Sequence, residues 1–341
     1  MRLTWRGKQR TETSSEEPPP RVHVADEARG LLVHGDNRRA LGDLAITFGN
    51  KVTLAYLDPP FLTNRPFEAL VPSDVPPRER KGPLKARPKK HAFDDRWSGR
   101  ADYLEALGAR LERIRPLLAA HGSVVVHVDP KTSHYVKVLG DEIFGDDAFA
   151  SEIVWRYRRW PSRTPNFQRV HDVLLRWCKD PKAKPRWNQP YEPLAASTLA
   201  TWGENKQRAV IERDGRRSRS STTDEPTKGV PMGDVWEIGV LAPMSRERTG
   251  YPTQKPEVLL ERIVGALSDP GDVVLDPYAG SGTTLAVAAR MGRVFVGIDQ
   301  GDVAVDIAKR RLEAHGVRFA PPESRTELTV RTTLEKTRKQ A

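Results

Sequence analysis

The run Val273-Val274-Leu275-Asp276-Pro277-Tyr278-Ala279-Gly280-Ser281-Gly282-Thr283-Thr284 narrows the fold of this chain more than any other stretch. An apolar strand ends in an acid, a glycine turn follows, and helical spacing continues through Leu285, Ala288 and Ala289. Gly280 and Gly282 accept positive φ and let a ligand approach the backbone, beside the free N–H groups of a new helix. A second strand, Val294-Phe295-Val296-Gly297-Ile298, ends in Asp299, 23 residues after Asp276. An acid at the tip of the second strand of a βαβ unit is positioned to accept hydrogen bonds from ribose hydroxyls. A nicotinamide or flavin site requires a third glycine where Leu285 stands, and no glycine turn here is followed by Lys-Ser or Lys-Thr, as a phosphate loop requires. A nucleoside cofactor without a pyrophosphate fits better, and S-adenosylmethionine is the candidate.

Far upstream, the apolar run Val52-Thr53-Leu54-Ala55-Tyr56-Leu57 ends in Asp58-Pro59-Pro60-Phe61. Each proline biases its predecessor toward an extended backbone and has no N–H, so the carbonyls here need not serve a local ladder. The Asp58 side chain and the Pro59 carbonyl can both accept from one amino group, while Phe61 stacks on the ring that carries it. Read alone, the segment is equally a strand followed by a proline turn.

Net charge is +11, and the basic residues cluster. Arg78, Arg80, Lys81, Lys85, Arg87, Lys89 and Lys90 crowd one proline-broken stretch, and Lys206, Arg208, Arg213, Arg216, Arg217 and Arg219 form another. Between Trp155 and Arg169, the basics Arg156, Arg158, Arg159, Arg163 and Arg169 alternate with Trp155, Tyr157, Trp160 and Phe167. Interleaved cations and rings suit nucleic acid, where cations meet phosphates and rings stack on bases. A charge run such as Arg331 to Lys339 is, by contrast, commonly just a solvated face.

The single cysteine, Cys178, excludes an internal disulfide framework, suits a cytoplasmic setting and reads as strand filler. The eight histidines show no metal-ligand spacing, so no metal is expected; His127 and His134 read as structural. No apolar run approaches the ~18 residues of a membrane span, and the first residues lack a signal-peptide core.

Periodicity predicts strands at Leu31–His34, Val52–Leu57 and Ser123–Asp129, and a late pair at Ile153–Tyr157 and Asp172–Trp177. Helices are predicted over Ala101–Ala120, Ser133–Ile143, from Pro256 onward through Leu259, Leu260, Ile263 and Leu267, and over Val303–Ala314. Alternating strands and helices imply a doubly wound, mostly parallel α/β sheet.

Taken together, these motifs resemble those of amino-group DNA methyltransferases of the β arrangement, in which the catalytic Asp-Pro-Pro-Tyr/Phe precedes the cofactor motif. The resemblance runs from about Leu31 to Leu312 and includes Gly35-Asp36-Asn37, Phe93-Asp94-Asp95-Arg96-Trp97, Ser123 to Asp129, and Arg248-Thr249-Gly250-Tyr251-Pro252-Thr253-Gln254-Lys255-Pro256. Tyr278 stands where Phe is commoner and Asp299 where Glu is common; the basic stretch Pro66 to His91 has no counterpart.

The resemblance implies a Rossmann-like, S-adenosylmethionine-dependent methyltransferase fold in permuted order, with an inserted target-recognition region. It implies a catalytic half at 21–159 containing the basic loop 66–91, target recognition at 160–246 and a cofactor half at 247–319; the tails at 1–20 and 320–341 are polar and low in aliphatics, a composition that predicts disorder. Asp58, Pro59, Pro60 and Phe61 are its catalytic residues. Asp36, Thr253, Lys255, Asp276, Tyr278, Gly280, Gly282, Thr283 and Asp299 are its cofactor residues. Asp36 would lie near the adenine, Asp299 at the ribose, Gly280 and Gly282 near the methionine part, and Thr253 toward the carboxylate.

The implied partner is double-stranded DNA, with a cytoplasmic, nucleoid-associated location and no membrane. A homodimer and a separate restriction endonuclease stay open as further partners. Adenine N6 is the expected target, reached by base flipping. The alternatives are cytosine N4, RNA or a protein amide, or an inactive basic DNA-binding protein that keeps the fold.

Overall fold

The computed structural model describes residues 19–26, 29–70, 88–161, 163 and 165–320. Nearly all of both expected tails and the centre of the basic loop (71–87) lie outside the described residues. The chain begins with strands β1 (Arg21–Val24) and β2 (Gly30–His34), helix α1 (Asn37–Phe48) and β3 (Val52–Leu57). Next come β4 (Pro66–Leu70), β5 (Lys89–Asp94), α2 (Arg100–Ile114), β6 (Leu118–Val128), α3 (Ser133–Phe144), β7 (Phe149–Arg156) and β8 (His171–Cys178). The elements β9 (Tyr191–Glu192), α4 (Ala196–Trp202), β10 (Asn205–Ile211), β11 (Arg217–Pro226) and β12 (Val230–Pro231) follow. The chain closes with β13 (Val235–Glu237), α5 (Glu257–Leu267), β14 (Val273–Asp276), α6 (Thr283–Arg290), β15 (Val294–Asp299) and α7 (Asp302–Ala314).

Among the described residues, nine strands form one sheet in the order β1-β2-β15-β14-β3-β6-β8-β7-β13. The central five, β2, β15, β14, β3 and β6, run parallel. Every residue of β3 is buried, as expected of a parallel strand covered on both faces. One helix group is α1, α2 and α3; the other is α5, α6 and α7. The fold is therefore the expected Rossmann-like, mostly parallel α/β sheet in permuted order. Strands β14 and β15, late in the chain, lie between β2 and β3, which come early.

Residues 188–234 form a second compact unit of their own. Within it, β10 and β11 pair as an antiparallel hairpin with two register shifts, and β9 pairs with β12.

The helix predicted over Ala101–Ala120 is shorter: α2 stops at Ile114, and Leu118 begins β6. Pro116 explains the stop, because it has no N–H to continue the ladder and its ring collides with the preceding turn. Strand β6 is correspondingly longer than predicted, spanning 11 residues. Helix α1 carries few buried residues (Ala40, Leu41 and Phe48), so its apolar stripe is too sparse to stand out in the sequence.

Candidate active site

The five parallel strands all present their carboxyl ends on the same side, and an acid marks each end: Asp36 just after β2, Asp299 on β15, Asp276 on β14, Asp58 after β3 and Asp129 after β6. Ligands of open α/β sheets bind at such carboxyl ends, where the strand order reverses. A cleft enclosing about 1260 Å³ of space, solvent mouth included, opens there. All but one of the sequence-predicted residues line it: Asp58, Pro59, Pro60 and Phe61 together with Asp36, Thr253, Lys255, Asp276, Tyr278, Gly280, Thr283 and Asp299; the exception is Gly282, the residue that caps α6 in the same turn.

The glycine turn forms one wall. Gly280 (φ 49°) and Gly282 (φ 71°) are left-handed, and Gly282 precedes the first residue of α6. A Cβ on Gly280 would stand 3.1 Å from the Tyr251 ring, and one on Gly282 would stand 2.8 Å from the Ala308 Cβ. The wall is thus bare backbone of the kind a nucleoside ligand can approach. Asp299 braces it: one carboxylate oxygen accepts the Gly280 N–H at 2.9 Å and the other accepts the Gly301 N–H at 2.8 Å. Burial pushes the Asp299 carboxyl above its ordinary range, despite these two donors. Asp276 accepts the Tyr278 N–H at 3.0 Å, and burial pushes it up to about 7.

Thr283 ties the turn to the preceding segment, accepting from Arg311 at 3.0 Å and standing 3.4 Å from the Lys255 carbonyl. Thr253, a β-branched residue, is left-handed at φ 58°, a strained state of the kind that collects at functional sites. Asp36 caps α1 through the Arg39 N–H at 3.0 Å and lies 3.4 Å from Arg110. Arg110 also donates to Asn37, which in turn donates to the Pro277 carbonyl beside Tyr278.

The opposite wall is the Asp58-Pro59-Pro60-Phe61 loop. Lys255 reaches this loop. Its ammonium lies 2.5 Å from the Asp58 carboxylate and 5.0 Å above the Phe61 ring. Behind Asp58 stands His127, fully buried in β6, with Nδ1 3.9 Å from the Asp58 carboxylate. Its Nε2 lies 3.3 Å from Asp172, which also accepts from the Tyr157 hydroxyl at 2.9 Å.

The loop beyond Phe61 is strained, with Leu62 (φ 56°) and Asn64 (φ 57°) both left-handed. Asp95, 1% exposed, holds it by accepting the Leu62 N–H (3.0 Å), the Thr63 N–H (2.8 Å), the Thr63 hydroxyl (2.6 Å) and the Trp97 indole N–H (2.9 Å). The roles of Asp95, His127 and Asp172 are absent from the sequence reading. Asp95 and His127 both lie in motifs of the resemblance to which no function was assigned, and Asp172 lies in a predicted strand.

Among the described residues no cluster of His, Cys, Asp or Glu could hold a metal ion, and no helix is long and apolar enough to cross a membrane. Cys178 is buried in β8.

A glycine-walled cleft at the carboxyl ends of a permuted Rossmann-like sheet defines the class as an S-adenosylmethionine-dependent methyltransferase. The sequence profile of the N6/N4 methyltransferase family, described as DNA methylase, matches residues 52–310, and the chain belongs to that family. It is 29% identical over 332 residues to the Type II methyltransferase M.EcaI of Enterobacter cloacae, covering 82% of this chain and 68% of that one. It is likewise 29% identical over 293 residues to the DNA adenine methyltransferase YhdJ of Escherichia coli strain K12, covering 86% and 85%. Two solved structures share the fold. The M1.HpyAVI complex with S-adenosylmethionine has a TM-score of 0.51 at 19% identity, over 82% of this chain and 98% of that one. The cytosine-N4-specific PvuII DNA methyltransferase has a TM-score of 0.52 at 15% identity, over 90% and 92%. The chain is accordingly a DNA amino-methyltransferase that uses S-adenosylmethionine.

Proposed function

We propose that this enzyme methylates the exocyclic N6 amine of adenine in duplex DNA, after flipping the base into the cleft. The observation that carries the reading is the position of Asp58: an acidic acceptor beside an aromatic ring, facing the glycine turn across one cleft. In the family that the motifs resemble, cytosine members more often carry Ser in place of Asp58, a tendency that favours adenine here, and the similarity to a relative named a DNA adenine methyltransferase agrees.

When bound, S-adenosylmethionine supplies an electrophilic sulfonium methyl group. The chain's own residues do the rest. The Asp58 carboxylate and the Pro59 carbonyl accept the two amine N–H bonds, which turns the nitrogen lone pair out of conjugation with the ring. Phe61 carries the base. As the N–C bond forms and the methyl group's bond to sulfur breaks, the carboxylate stabilises the positive charge that develops on nitrogen, the fixed loop keeps the attack in line, and the surplus amine proton is then released to water. Gly280 and Gly282 would admit the cofactor, Asp299 would hold its ribose, Asp36 would lie toward its adenine and Thr253 toward its carboxylate, with Asp276, Tyr278 and Thr283 supporting the turn. No cysteine nucleophile is needed, and Cys178 is buried in β8.

Residues 160–246 are read as the target-recognition region. The loop joining β7 and β8 leaves the sheet on the side of the β6 carboxyl end, because β8 runs antiparallel to β6. It carries Arg158, Arg159, Arg163 and Arg169 with Trp160 and Phe167, which are 92% and 98% exposed. Cations for phosphates and open ring faces for bases suit a DNA contact near the reaction centre.

The test is methyl transfer from labelled S-adenosylmethionine into unmethylated genomic DNA, followed by nucleoside analysis. The expected product is N6-methyladenine. N4-methylcytosine would move the target base, and no label in DNA would overturn the reading.

A further inference from the structure

We infer that Lys255 occupies the seat of the target amine in the DNA-free enzyme and must leave Asp58 before a base can react. This inference rests on the function proposed above. The Lys255 ammonium makes two of the three contacts assigned to the flipped base: a hydrogen bond to Asp58 at 2.5 Å and a position 5.0 Å over the face of Phe61. The match is chemical as well as spatial. An ammonium, like an exocyclic amine, offers N–H donors to a carboxylate, and a cation sits on a ring face where a base would stack. The pair is largely withdrawn from water, with Lys255 10% and Asp58 19% exposed at the side chain, so the two occupants compete for one desolvated site.

They cannot share it during reaction. Methyl transfer develops positive charge on the target nitrogen, and an ammonium held on the same carboxylate would both neutralise Asp58 and repel that charge. The surroundings let the side chain move while the backbone stays. Gln254 accepts from the Thr249 N–H and hydroxyl at 2.9 and 2.8 Å and donates to the Glu247 carbonyl at 2.8 Å, which fixes the segment. The Thr253 carbonyl, 3.4 Å from the ammonium, is a second acceptor already within reach. Lys255 is then a selector at the reaction centre. A base that brings no amine to Asp58 offers the carboxylate no donor in exchange for the ammonium it would lose.

The experiment compares wild type with Lys255→Met on unmethylated DNA at saturating S-adenosylmethionine, with circular dichroism and thermal melting as the check on folding. A methionine fills the space without a charge. The expected result is a kcat/KM raised roughly three- to tenfold, entirely through a lower KM for DNA. Such a change corresponds to a seat held by Lys255 about two-thirds to nine-tenths of the time. An unchanged or higher KM, or a kcat lowered tenfold or more, overturns the inference. If Lys255→Met does not fold, nitrogen NMR of the wild type decides, with the Lys255 ammonium resonance assigned by its loss in Lys255→Arg. A shift on adding methyl-accepting duplex supports displacement, and an unmoved resonance overturns it. A wild type that transfers no methyl to DNA defeats the proposed function itself, which is a separate outcome.

Discussion

The hydroxyl of Tyr56 meets Nδ1 of His127 at 2.8 Å, inside the sheet and directly behind the Asp58 carboxylate. Tyr56 lies on β3, two residues before Asp58, while His127 sits on the neighbouring β6, so the bond ties the two strands together beside Asp58. His127 also packs edge-on to Trp155, with ring centres 5.5 Å apart, and lies 5.6 Å from Phe61. Exchange of His127 for Phe keeps the ring but strands the Tyr56 hydroxyl and removes one partner of Asp172. Stability should fall by about 1–3 kcal/mol, the usual effect of an orphaned buried polar group. Because Asp58 and Phe61 lose their backing, kcat should drop further than KM rises; denaturant unfolding and steady-state kinetics check both.

Replacement of Asp58 by Ala should abolish detectable transfer while cofactor affinity, measured by calorimetry, stays within about threefold. The acceptor aimed at the developing charge is worth several orders of magnitude in rate in comparable sites, roughly 10²–10³ per group removed. Persistent methylation in this variant would sink the catalytic assignment.

Asp95 is the clasp of the catalytic loop. Its loss in Asp95→Ala frees two backbone N–H groups in a stretch where Leu62 and Asn64 are already left-handed. The loop should relax out of its strained path, with kcat lowered about 10²-fold, a loss that small misplacements of reacting groups can cause. Asp95→Asn, which keeps one acceptor oxygen, should recover part of the rate.

Trp160 and Phe167 are almost wholly exposed, so changing both to Ala should leave the melting temperature nearly unmoved. Affinity for DNA should weaken by about 1–3 kcal/mol for each ring that stacks on a base. Fluorescence anisotropy at fixed salt measures the first loss. Unchanged binding would remove the β7–β8 loop from the DNA contact.

Asp276 gives the stability a pH dependence of definite sign. Burial raises its folded-state pKa from 3.8 to about 7, so the fold prefers the neutral acid. The favourable contribution is complete below about 3.8, declines as pH rises toward about 7, and is gone above it, at ~1.4 kcal/mol per pKa unit. Asp276→Asn keeps an oxygen for the Tyr278 N–H and removes the ionisation. The variant should therefore melt higher than wild type at about pH 8, with the gap closing near pH 4, in cofactor-free scans.

Much of this architecture is written locally. The unbroken apolar run Val52 to Leu57 announces a strand buried on both faces, and the Gly280-Ser281-Gly282 turn announces its own left-handed backbone. Leu118 misleads because it continues the helical spacing of Leu107 and Leu111, while Pro116 between them ends the helix. The features that escape are encounters between distant segments. Asp95 meets the Leu62 N–H across 33 residues, Tyr56 meets His127 across 71, and Lys255 meets Asp58 across 197. Each partner has an ordinary local setting, a polar loop residue or a strand residue among valines, and nothing in its neighbourhood encodes the other.

The strand order also dictates a schedule for synthesis. Strands β2 and β3 emerge from the ribosome early, yet they do not pair with each other; the space between them belongs to β14 and β15. Until Val273 to Asp299 has been made, a growing chain that already carries Asp58 holds two unsatisfied strand edges and an open sheet. Exposed edges invite foreign pairing, and contacts of such sequence separation form slowly. The newborn protein thus acquires its glycine wall last, and cannot seat a methyl donor beside Asp58 before nearly the whole sheet is complete.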